Sequence, residues 1–155
     1  MATPNAILSR HTTLEVKGAA DADFVMIGRL TTIPAPSPET EEIDISALDS
    51  PGFNREFIPG ATDNGSLEVS GQYKAGEAGQ QKLYELYKTR ENITIRITAP
   101  EMTGVDTPAY YEGEAYVSVC QPFGDAEEGS ILPFNATLRL TGVLEYTPAV
   151  LTPVP

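Results

Sequence analysis

Apolar and polar residues alternate over several parts of the chain, as they do in β-strands that bury one face. The alternation is strictest in residues 92–98, where Ile93, Ile95 and Ile97 share one face and polar side chains occupy the other. The same period of two recurs in four further segments, 41–46, 66–73, 109–119 and 134–146. The chain is therefore predicted to be mainly β, as an antiparallel two-sheet β-sandwich or partial barrel.

Two stretches near the N-terminus add to this sheet. Residues 24–30 are apolar enough for a central strand, and residues 14–17 are predicted to pair with them at the sheet edge. Residues 34–38 read Pro-Ala-Pro-Ser-Pro, and proline has neither the free φ angle nor the amide proton that a helix or a sheet ladder needs. This segment is predicted to be a connector.

One segment follows the period of a helix instead. From about residue 77 to residue 90, Leu83, Leu86 and Tyr87 recur at spacings of three and four and form a narrow apolar stripe. The segment begins with an acidic residue and ends with basic ones, which suits the helix dipole. We predict a single α-helix that flanks the sheet and packs one face on it.

A long loop is predicted between two alternating strands, over about residues 49–64. It contains two Pro-Gly turn formers, yet it also carries three large apolar side chains. A loop of this length in a compact domain is usually functional, and its apolar groups argue against disorder. The loop residues expected to contact a partner are Asp49, Pro51, Phe53, Arg55, Glu56, Phe57, Ile58 and Pro59.

Length and charge narrow the possible functions. The 155 residues are expected to form one domain over 1–155, with a flexible N-terminal segment over about 1–12 and a C-terminal arm over about 147–155. The formal net charge of −12 repels phosphate, so tight binding to nucleic acid is not expected. Neither a membrane-spanning run nor a signal peptide is evident, so we expect synthesis in the cytoplasm and no membrane insertion.

Candidate catalytic chemistry is sparse. The only histidine, His11, lies in a polar N-terminal segment and is interpreted as exposed, and the only cysteine, Cys120, as a small packed residue in a strand. Residues 60–65 lack the Lys-Ser/Thr pair of a phosphate loop and the spaced acids of a calcium loop, so they are interpreted as a plain turn. The sequence predicts no enzyme, no cofactor and no metal site.

One longer pattern is specific enough to suggest a family. Residues 43–73 read IDISALDSPGFNREFIPGATDNGSLEVSGQY, in which a strand leads through Asp-Ser-Pro-Gly and Arg-Glu-Phe-Ile-Pro-Gly to an acidic turn and an alternating strand. A helix at 80–84, a strand at 93–97 and the segment 134–142 then follow in order. Over most of its length the chain resembles the tail tube proteins of long-tailed bacteriophages, the group that includes the major tail protein of phage lambda.

The resemblance implies a structural virion protein that acts by assembly. Such subunits form hexameric rings, which stack into a hollow tube with an inner β-barrel lining. The implied partners are further copies of the chain and the tail tip, terminator and tape measure proteins. DNA passes through the tube without specific binding. The implied location is the virion tail, which is assembled in the host cytoplasm.

Two hypotheses connect these expectations to residues. In the first, polar strand faces line the channel and repel DNA phosphates; the candidates are Glu68, Ser70, Gln72, Glu112 and Glu114. In the second, the loop at 49–64 leaves its own subunit and buries its apolar side chains on neighbouring copies. In the alternative to the second, those side chains fold into the subunit's own core.

Two other functions fit the same β pattern. The first is the tube protein of a type VI secretion system, which would stand inside a contractile sheath. The second is a free-standing β-sandwich that binds a ligand through an exposed aromatic patch, with Tyr110 and Tyr116 as candidates. Such a binding module would stay monomeric at high concentration.

Overall fold

A computed structural model describes residues 9–153 of the chain. Within them are eleven strands, one α-helix and one 3-10 turn at Pro51–Phe53. The strands are β1 (Thr13–Lys17), β2 (Val25–Met26), β3 (Leu30–Thr32), β4 (Glu39–Asp44), β5 (Phe57–Asp63), β6 (Ser66–Gln72), β7 (Ile93–Thr98), β8 (Val105–Thr107), β9 (Tyr110–Gln121), β10 (Pro133–Thr147) and β11 (Val150–Leu151), and the helix α1 spans Ala78–Thr89. The prediction of a mainly β protein with one helix is confirmed.

Seven strands form one antiparallel sheet in the order β2-β1-β7-β9-β10-β6-β3. The remaining strands form two ribbons, β4 with β5 and β8 with β11. The long strands β9 and β10 pair over most of their length, and two register shifts bend β10 opposite β9. Of the two architectures predicted, the structure therefore takes the partial barrel, in which a single sheet curls around the core.

Residues 27–29 run directly from one edge strand of the sheet to the other, and we call this segment the crossing. Its short length requires the sheet to curl. If the sheet were flat, its edge strands β2 and β3 would lie six strand spacings apart, about 29 Å. Only residues 27–29 connect them, and the four Cα steps from Met26 to Leu30 span at most about 15 Å. On one side of the crossing, Ile27 N donates to Leu14 O (3.0 Å), and on the other Gln72 N donates to Arg29 O (2.9 Å). The sheet edges therefore come together at this crossing.

Because of this crossing, the predicted central strand over residues 24–30 is wrong. Residues 24–30 are not a central strand: they contain the edge strand β2, the crossing and the first residue of β3, while β1 takes an inner place between β2 and β7. Arg29 adopts a left-handed backbone with φ of 62°, which interrupts a continuous strand. The apolar character of the run comes from Ile27, whose side chain points into the core and is buried.

The inward faces of the curled sheet form one hydrophobic core cluster, closed on one side by α1. The helix contributes Leu83 and Leu86, both buried, and its first turn lies so close to the crossing that a Cβ on Gly79 would overlap the backbone of Met26 and Ile27. The largest fully buried side chains are Phe134, Leu14, Leu67, Leu83, Ile93, Ile95 and Leu138. The alternating segments 66–73, 92–98 and 134–146 thus bury the faces that were predicted.

A buried glutamine ties the helix to the crossing. Gln80 is 4% exposed, and its Nε2 donates to Gly28 O (3.3 Å) and to Gln72 O (2.9 Å), while its Oε1 accepts from Lys74 N (3.2 Å). All of its polar groups therefore have partners, as a buried amide requires. The contact fixes the position of the crossing relative to β6.

The predicted loop over 49–64 needs correction. Its second half is the strand β5, which pairs with β4 in register from Glu39 opposite Asp63 to Asp44 opposite Phe57. The Pro59-Gly60 pair was interpreted as a turn, but proline is tolerated in an edge strand, where its missing amide proton breaks no ladder bond. Residues 60–63 likewise belong to the strand rather than to a turn, and the turn itself lies at Asn64 and Gly65.

The terminal segments are only partly covered by the structure. Residues 1–8 of the predicted N-terminal segment and residues 154–155 of the predicted C-terminal arm lie outside the described residues. The C-terminal segment was expected to be loose. However, Val150 pairs with Thr107 and Leu151 with Val105, and Thr152 N donates to Gly104 O (3.0 Å). Its described part is therefore held by backbone hydrogen bonds to β8.

Candidate assembly surfaces

The β4–β5 ribbon and its tip, residues 39–63, form a projection that we call the arm. All residues of β4 are exposed, and so are all residues of β5 except the half-buried Gly60. The segment 41–46 was predicted to bury one face, and within its own subunit it does not. At the tip, Leu48 and Phe53 are fully exposed, so the alternative in which the loop's apolar groups fill the subunit's own core is wrong for Phe53.

The two faces of the arm differ in character. Ile43 lies opposite Ile58 on one face, and Ile45 follows two residues later, just past the end of β4. The other face carries Asp44 opposite Phe57, with the acidic residue before it on that face opposite Pro59. The exposed fractions of Ile43, Ile45, Phe57 and Ile58 are 42, 47, 49 and 44%. The arm thus presents apolar side chains to solvent on both faces, next to carboxylates.

Local hydrogen bonds shape the tip and use several of the predicted contact residues. Ser50 Oγ donates to Glu56 Oε2 (3.0 Å) and accepts from Ala47 N (2.9 Å), and Glu56 N donates to Ser46 Oγ (2.8 Å). The Ser46 amide donates to Asp44 Oδ1 (2.8 Å), and hydrogen bonds from Ser46 lower the pKa of that carboxyl group. Of the predicted residues, Asp49, Pro51, Phe53, Arg55 and Glu56 lie in the tip and Phe57, Ile58 and Pro59 in β5.

The root of the arm is fixed to β10. Arg139 Nη2 lies 2.9 Å from both carboxylate oxygens of Asp63, and Asn64 Nδ2 donates to Gly142 O (2.7 Å). The Gly65 amide donates to Asp63 Oδ1 (2.9 Å), and this hydrogen bond together with the Arg139 guanidinium lowers the pKa of Asp63. The arm therefore leaves the barrel from a defined position.

The arm is poorly stabilised by its own subunit. A two-stranded ribbon without a covering layer is marginally stable in water. Burying one large apolar side chain stabilises by roughly 1.5–3 kcal/mol, and the arm's apolar side chains gain only part of this while half-exposed. These side chains make the arm the strongest candidate for a contact surface.

The five channel candidates share one face of the sheet. Glu68, Ser70 and Gln72 lie on β6 and Glu112 and Glu114 on β9, and all five point away from the core. Strand β10 separates the two groups, with Thr137 opposite Glu68 and Thr141 opposite Glu114. The structure thus brings them onto a single polar surface, which we call the outer sheet face.

The outer sheet face is acidic on its four middle strands. Strands β6, β7, β9 and β10 carry two basic residues, and both are ion-paired: Arg96 Nη2 lies 3.3 Å from Glu112 Oε1, and Arg139 binds the arm root. Glu68 and Glu114 form no ion pair among the residues that the structure describes. Negative charge on this face is thus left without local compensation.

The aromatic patch expected for a ligand-binding module does not form. Tyr110 and Tyr116 lie on the same face of β9 but six residues apart, which corresponds to about 20 Å along a strand. Tyr110 is half-buried under the Arg96 guanidinium, 5.0 Å from the ring centre, while Tyr116 is 41% exposed opposite Arg139. The two rings therefore cannot contact one small ligand together.

The residues considered for catalysis lie apart from one another. His11 is exposed outside the strands, as expected. Cys120 is half-buried against the core, in line with the packed residue expected of a free cysteine, and burial raises the pKa of its thiol to about 11. Between residues 9 and 153 there is no group of three potential metal ligands of the His, Cys, Asp or Glu type. No helix in that range is both long and apolar enough to cross a membrane.

Comparison with known proteins yields structural likeness. No protein-family model matches the chain, and no curated protein does either. A chain in the tail of an empty gene transfer agent particle with C6 symmetry matches with a TM-score of 0.72 and 16% identity, covering 92% of this chain and 99% of that one. A chain of the six-fold symmetrised anti-feeding prophage baseplate matches with a TM-score of 0.73 and 15% identity, covering 96% and 98%.

A third likeness is to the SPP1 tail tube, determined by solid-state NMR and electron cryomicroscopy. Its TM-score is 0.67 at 18% identity, and it covers 94% of this chain and 81% of that one. At such identities the three likenesses show the fold. The chain has the fold of subunits found in phage-type tails and tail tubes, as the resemblance read from the sequence predicted.

Proposed function

We propose that the chain is a structural subunit of a phage-type tail, and that it assembles into stacked rings forming a hollow tube for passage of the genome into the host. The observation that carries this proposal is the arm, whose apolar side chains lie outside the subunit's core on a fold shared with tail proteins. A subunit that exposes such an element is completed by other copies of itself. Its place is then the virion tail, after assembly in the host cytoplasm.

Six-fold rings are part of this proposal. Support comes from the C6 symmetry of the gene transfer agent tail and the six-fold symmetry of the prophage baseplate, both of which contain chains of this fold. A ring that stacks head-to-tail does not close along its axis, so it can grow without limit. Growth control is assigned to tail tip, terminator and tape measure proteins. The chain itself is assigned a structural role without catalysis.

The arm is proposed to dock on neighbouring copies through its apolar side chains. The predicted contact residues in β5, namely Phe57, Ile58 and Pro59, project from both faces of the ribbon, so one arm can contact two surfaces. At the tip, Phe53 is fully exposed and Arg55 forms no ion pair within residues 9–153. These two side chains supply, respectively, apolar area and a charge that can fix the register of the contact.

Electron microscopy of the purified protein tests this assignment. The parent chain is expected to form rings or tubes with a central hole, whereas Phe57→Ala is expected to remain as single subunits at the same concentration. Ile131→Ala serves as the control, because Ile131 is 67% exposed but lies outside the arm. A concentrated parent protein that stays monomeric would overturn the proposed function. Normal tubes formed by Phe57→Ala would overturn the role of the arm.

The outer sheet face is proposed to line the channel. Uncompensated carboxylates such as Glu68 and Glu114 repel DNA phosphates, so the genome slides through without being held. Each cationic contact with a phosphate would instead add a salt-dependent holding force. The same face is polar across β6, β9 and β10, as a water-filled channel requires.

Tubes with altered charge test the channel assignment. Tubes of Glu68→Lys/Glu114→Lys are expected to retain added linear DNA at low salt and to release it as salt is raised. Tubes of Glu85→Lys/Glu91→Lys change the net charge by the same amount at two exposed positions, one on α1 and one just after it, and are expected to behave as the parent does. Equal behaviour of the two variants, or a tube map with Glu68 and Glu114 on the outer wall, would overturn the assignment and leave tube formation intact.

A further inference from the structure

One region of the surface departs from the acidic character of the chain. It is a depression lined by Ser9, Arg10, His11, Thr12, Arg29, Leu30, Thr31, Thr32 and Ile33. No carboxylate lines it, although the chain has 22 acidic and 10 basic residues. Arg10 and Arg29 form no ion pair within residues 9–153, and residues 1–8 contain no acidic side chain that could neutralise them.

The backbone is strained at two of the residues that line this depression. His11 and Arg29 have φ angles of 73° and 62°, in the left-handed region that costs a residue with a Cβ roughly 1–2 kcal/mol. Arg29 belongs to the crossing that closes the barrel, and its carbonyl oxygen accepts a hydrogen bond from Gln72. The fold therefore fixes the backbone of an exposed arginine that forms no ion pair within residues 9–153.

An apolar groove continues directly from the basic depression. Its volume is about 320 Å³, and it shares Thr12 and Ile33 with the depression. Its walls are formed by Pro34 and by Tyr111 and Tyr146, whose rings lie 5.3 Å apart. We call the depression and the groove together the basic groove, since no acidic residue lines either part.

The arm is complementary to the basic groove both in charge and in apolar surface. Residues 39–63 contain seven acidic residues and one basic residue, Arg55, so they carry half of the formal net charge of −12. On one face of β4, Glu42 and Asp44 lie two residues apart and next to the exposed ring of Phe57. The arm thus carries carboxylates beside an apolar side chain, and the basic groove offers guanidinium groups beside an apolar wall.

We propose that the basic groove is the receptor for the arm of a second copy of the chain, with Glu42 and Asp44 facing Arg10 and Arg29 and apolar arm residues filling the groove. This rests on the proposed assembly and names the surface that the arm contacts. The arm does not occupy its own groove, because both faces of β4 and nearly all of β5 are exposed.

The geometry of this contact suits either a ring or a stack of rings. Arm and groove are different surfaces, so the contact is heterologous: each subunit uses its arm on one neighbour and its groove on another. The paired part of the arm spans about 20 Å at the rise of a strand, which exceeds the radius of gyration of about 15 Å expected for 155 residues. An arm of this length, exposed along β4 and nearly all of β5, is available for contact with a neighbour.

Charge reversal on either side tests the contact. Arg10→Glu/Arg29→Glu reverses the groove, and Glu42→Lys/Asp44→Lys reverses the arm. Each double variant alone is expected to need at least about a tenfold higher concentration to assemble, because like charges then face each other. Mixed in equal amounts, the two variants are expected to recover assembly, since each supplies the partner that the other lacks. Sedimentation and electron microscopy report both results.

A matched control and a failure criterion complete the experiment. Lys88→Glu/Arg90→Glu changes the net charge by the same amount as the groove variant, but at the exposed end of α1. It is expected to assemble as the parent does. Thermal unfolding verifies that every variant is folded. Parent-like assembly of the groove variant, or failure of the mixture to recover, would overturn the groove while Phe57→Ala still tests the arm. A parent chain that never assembles would overturn the proposed function itself.

Discussion

Strands β4 and β6 alternate in the same way along the sequence, but their apolar side chains have different fates. In β6, Leu67 and Val69 are buried, whereas in β4 and just after it Ile43 and Ile45 remain nearly half exposed. The difference comes from what covers them: β6 lies between β10 and β3 over the barrel core, and β4 has only β5 as a neighbour. A period of two thus predicts a strand with one apolar face, but it does not tell whether the same molecule covers that face.

Removing a buried aromatic side chain from the core gives the largest expected loss of unfolding free energy, against which a substitution in the arm is compared. Phe134→Ala empties a fully buried position on β10 and should lower the free energy of unfolding by about 3–5 kcal/mol. Phe53→Ala, at the fully exposed tip of the arm, should leave it within about 0.5 kcal/mol of the parent. Urea unfolding of the unassembled subunits measures both. Similar losses in the two variants would mean that the arm folds onto the core in solution.

Loosening the barrel at residues 27–29, where its two sheet edges come together, should have the next largest effect. The two-stranded arm has no such closure. Gln80→Ala removes hydrogen bonds to Gly28 and Gln72 and leaves two partly buried carbonyl groups without these donors, which should cost about 2 kcal/mol. The exposed neighbour Gln81 supplies the control as Gln81→Ala. Faster amide hydrogen exchange at residues 25–32 should accompany the loss, and unchanged exchange there would contradict the assigned tie.

Truncating the arm's half-exposed ring separates stability from assembly. Phe57→Ala should lower the unfolding free energy of the single subunit by about 1 kcal/mol or less, because the half-exposed ring gains only part of the stabilisation of a fully buried one. The same variant should fail to form tubes. Urea unfolding and electron microscopy on one preparation check both statements. A large loss of subunit stability would show that Phe57 is needed for folding rather than for contact.

The smallest effect is expected at the arm root on acidification. The pKa of Asp63 lies below the ordinary value of 3.8 because the Gly65 amide and the Arg139 guanidinium favour its charged form. The resulting stabilisation is present above the unfolded pKa, near 3.8, and is lost as pH falls through the lower folded pKa. NMR of the Gly65 amide between pH 6 and pH 2 should follow this loss. In Arg139→Ala the titration should move to higher pH, and an unmoved midpoint would contradict the pairing.

The barrel was largely predictable because the alternation of apolar and polar residues along its strands matches their buried and exposed faces. Ile93, Ile95 and Ile97 alternate without interruption, and β7 buries all three. The helix followed from the apolar stripe that includes Leu83 and Leu86, and its end at Arg90, which has a left-handed backbone, agrees with the predicted bounds to within one residue. Here the covering layer belongs to the same chain, so sequence pattern and burial agree.

The misread segments depend on geometry that no local pattern encodes. An apolar run at 24–30 resembles a central strand, but closure of the barrel divides it between both edges of the sheet. The Pro59-Gly60 pair resembles a turn, but an exposed ribbon edge accepts proline. The basic groove was not anticipated at all, because no sequence motif links Arg10 with Arg29, which line one depression only after the antiparallel pairing of β1 with β2.

Closure of the barrel also governs which backbones are free to pair with other chains. Open sheet edges act as templates for uncontrolled strand addition, the route to amyloid-like stacking. Here the two edge strands, Val25–Met26 and Leu30–Thr32, have only two and three residues, and the chain itself runs directly from one to the other. An unassembled pool of subunits is thereby protected from aggregation through its main sheet, and the open backbone edges within residues 9–153 are confined to the β4–β5 and β8–β11 ribbons.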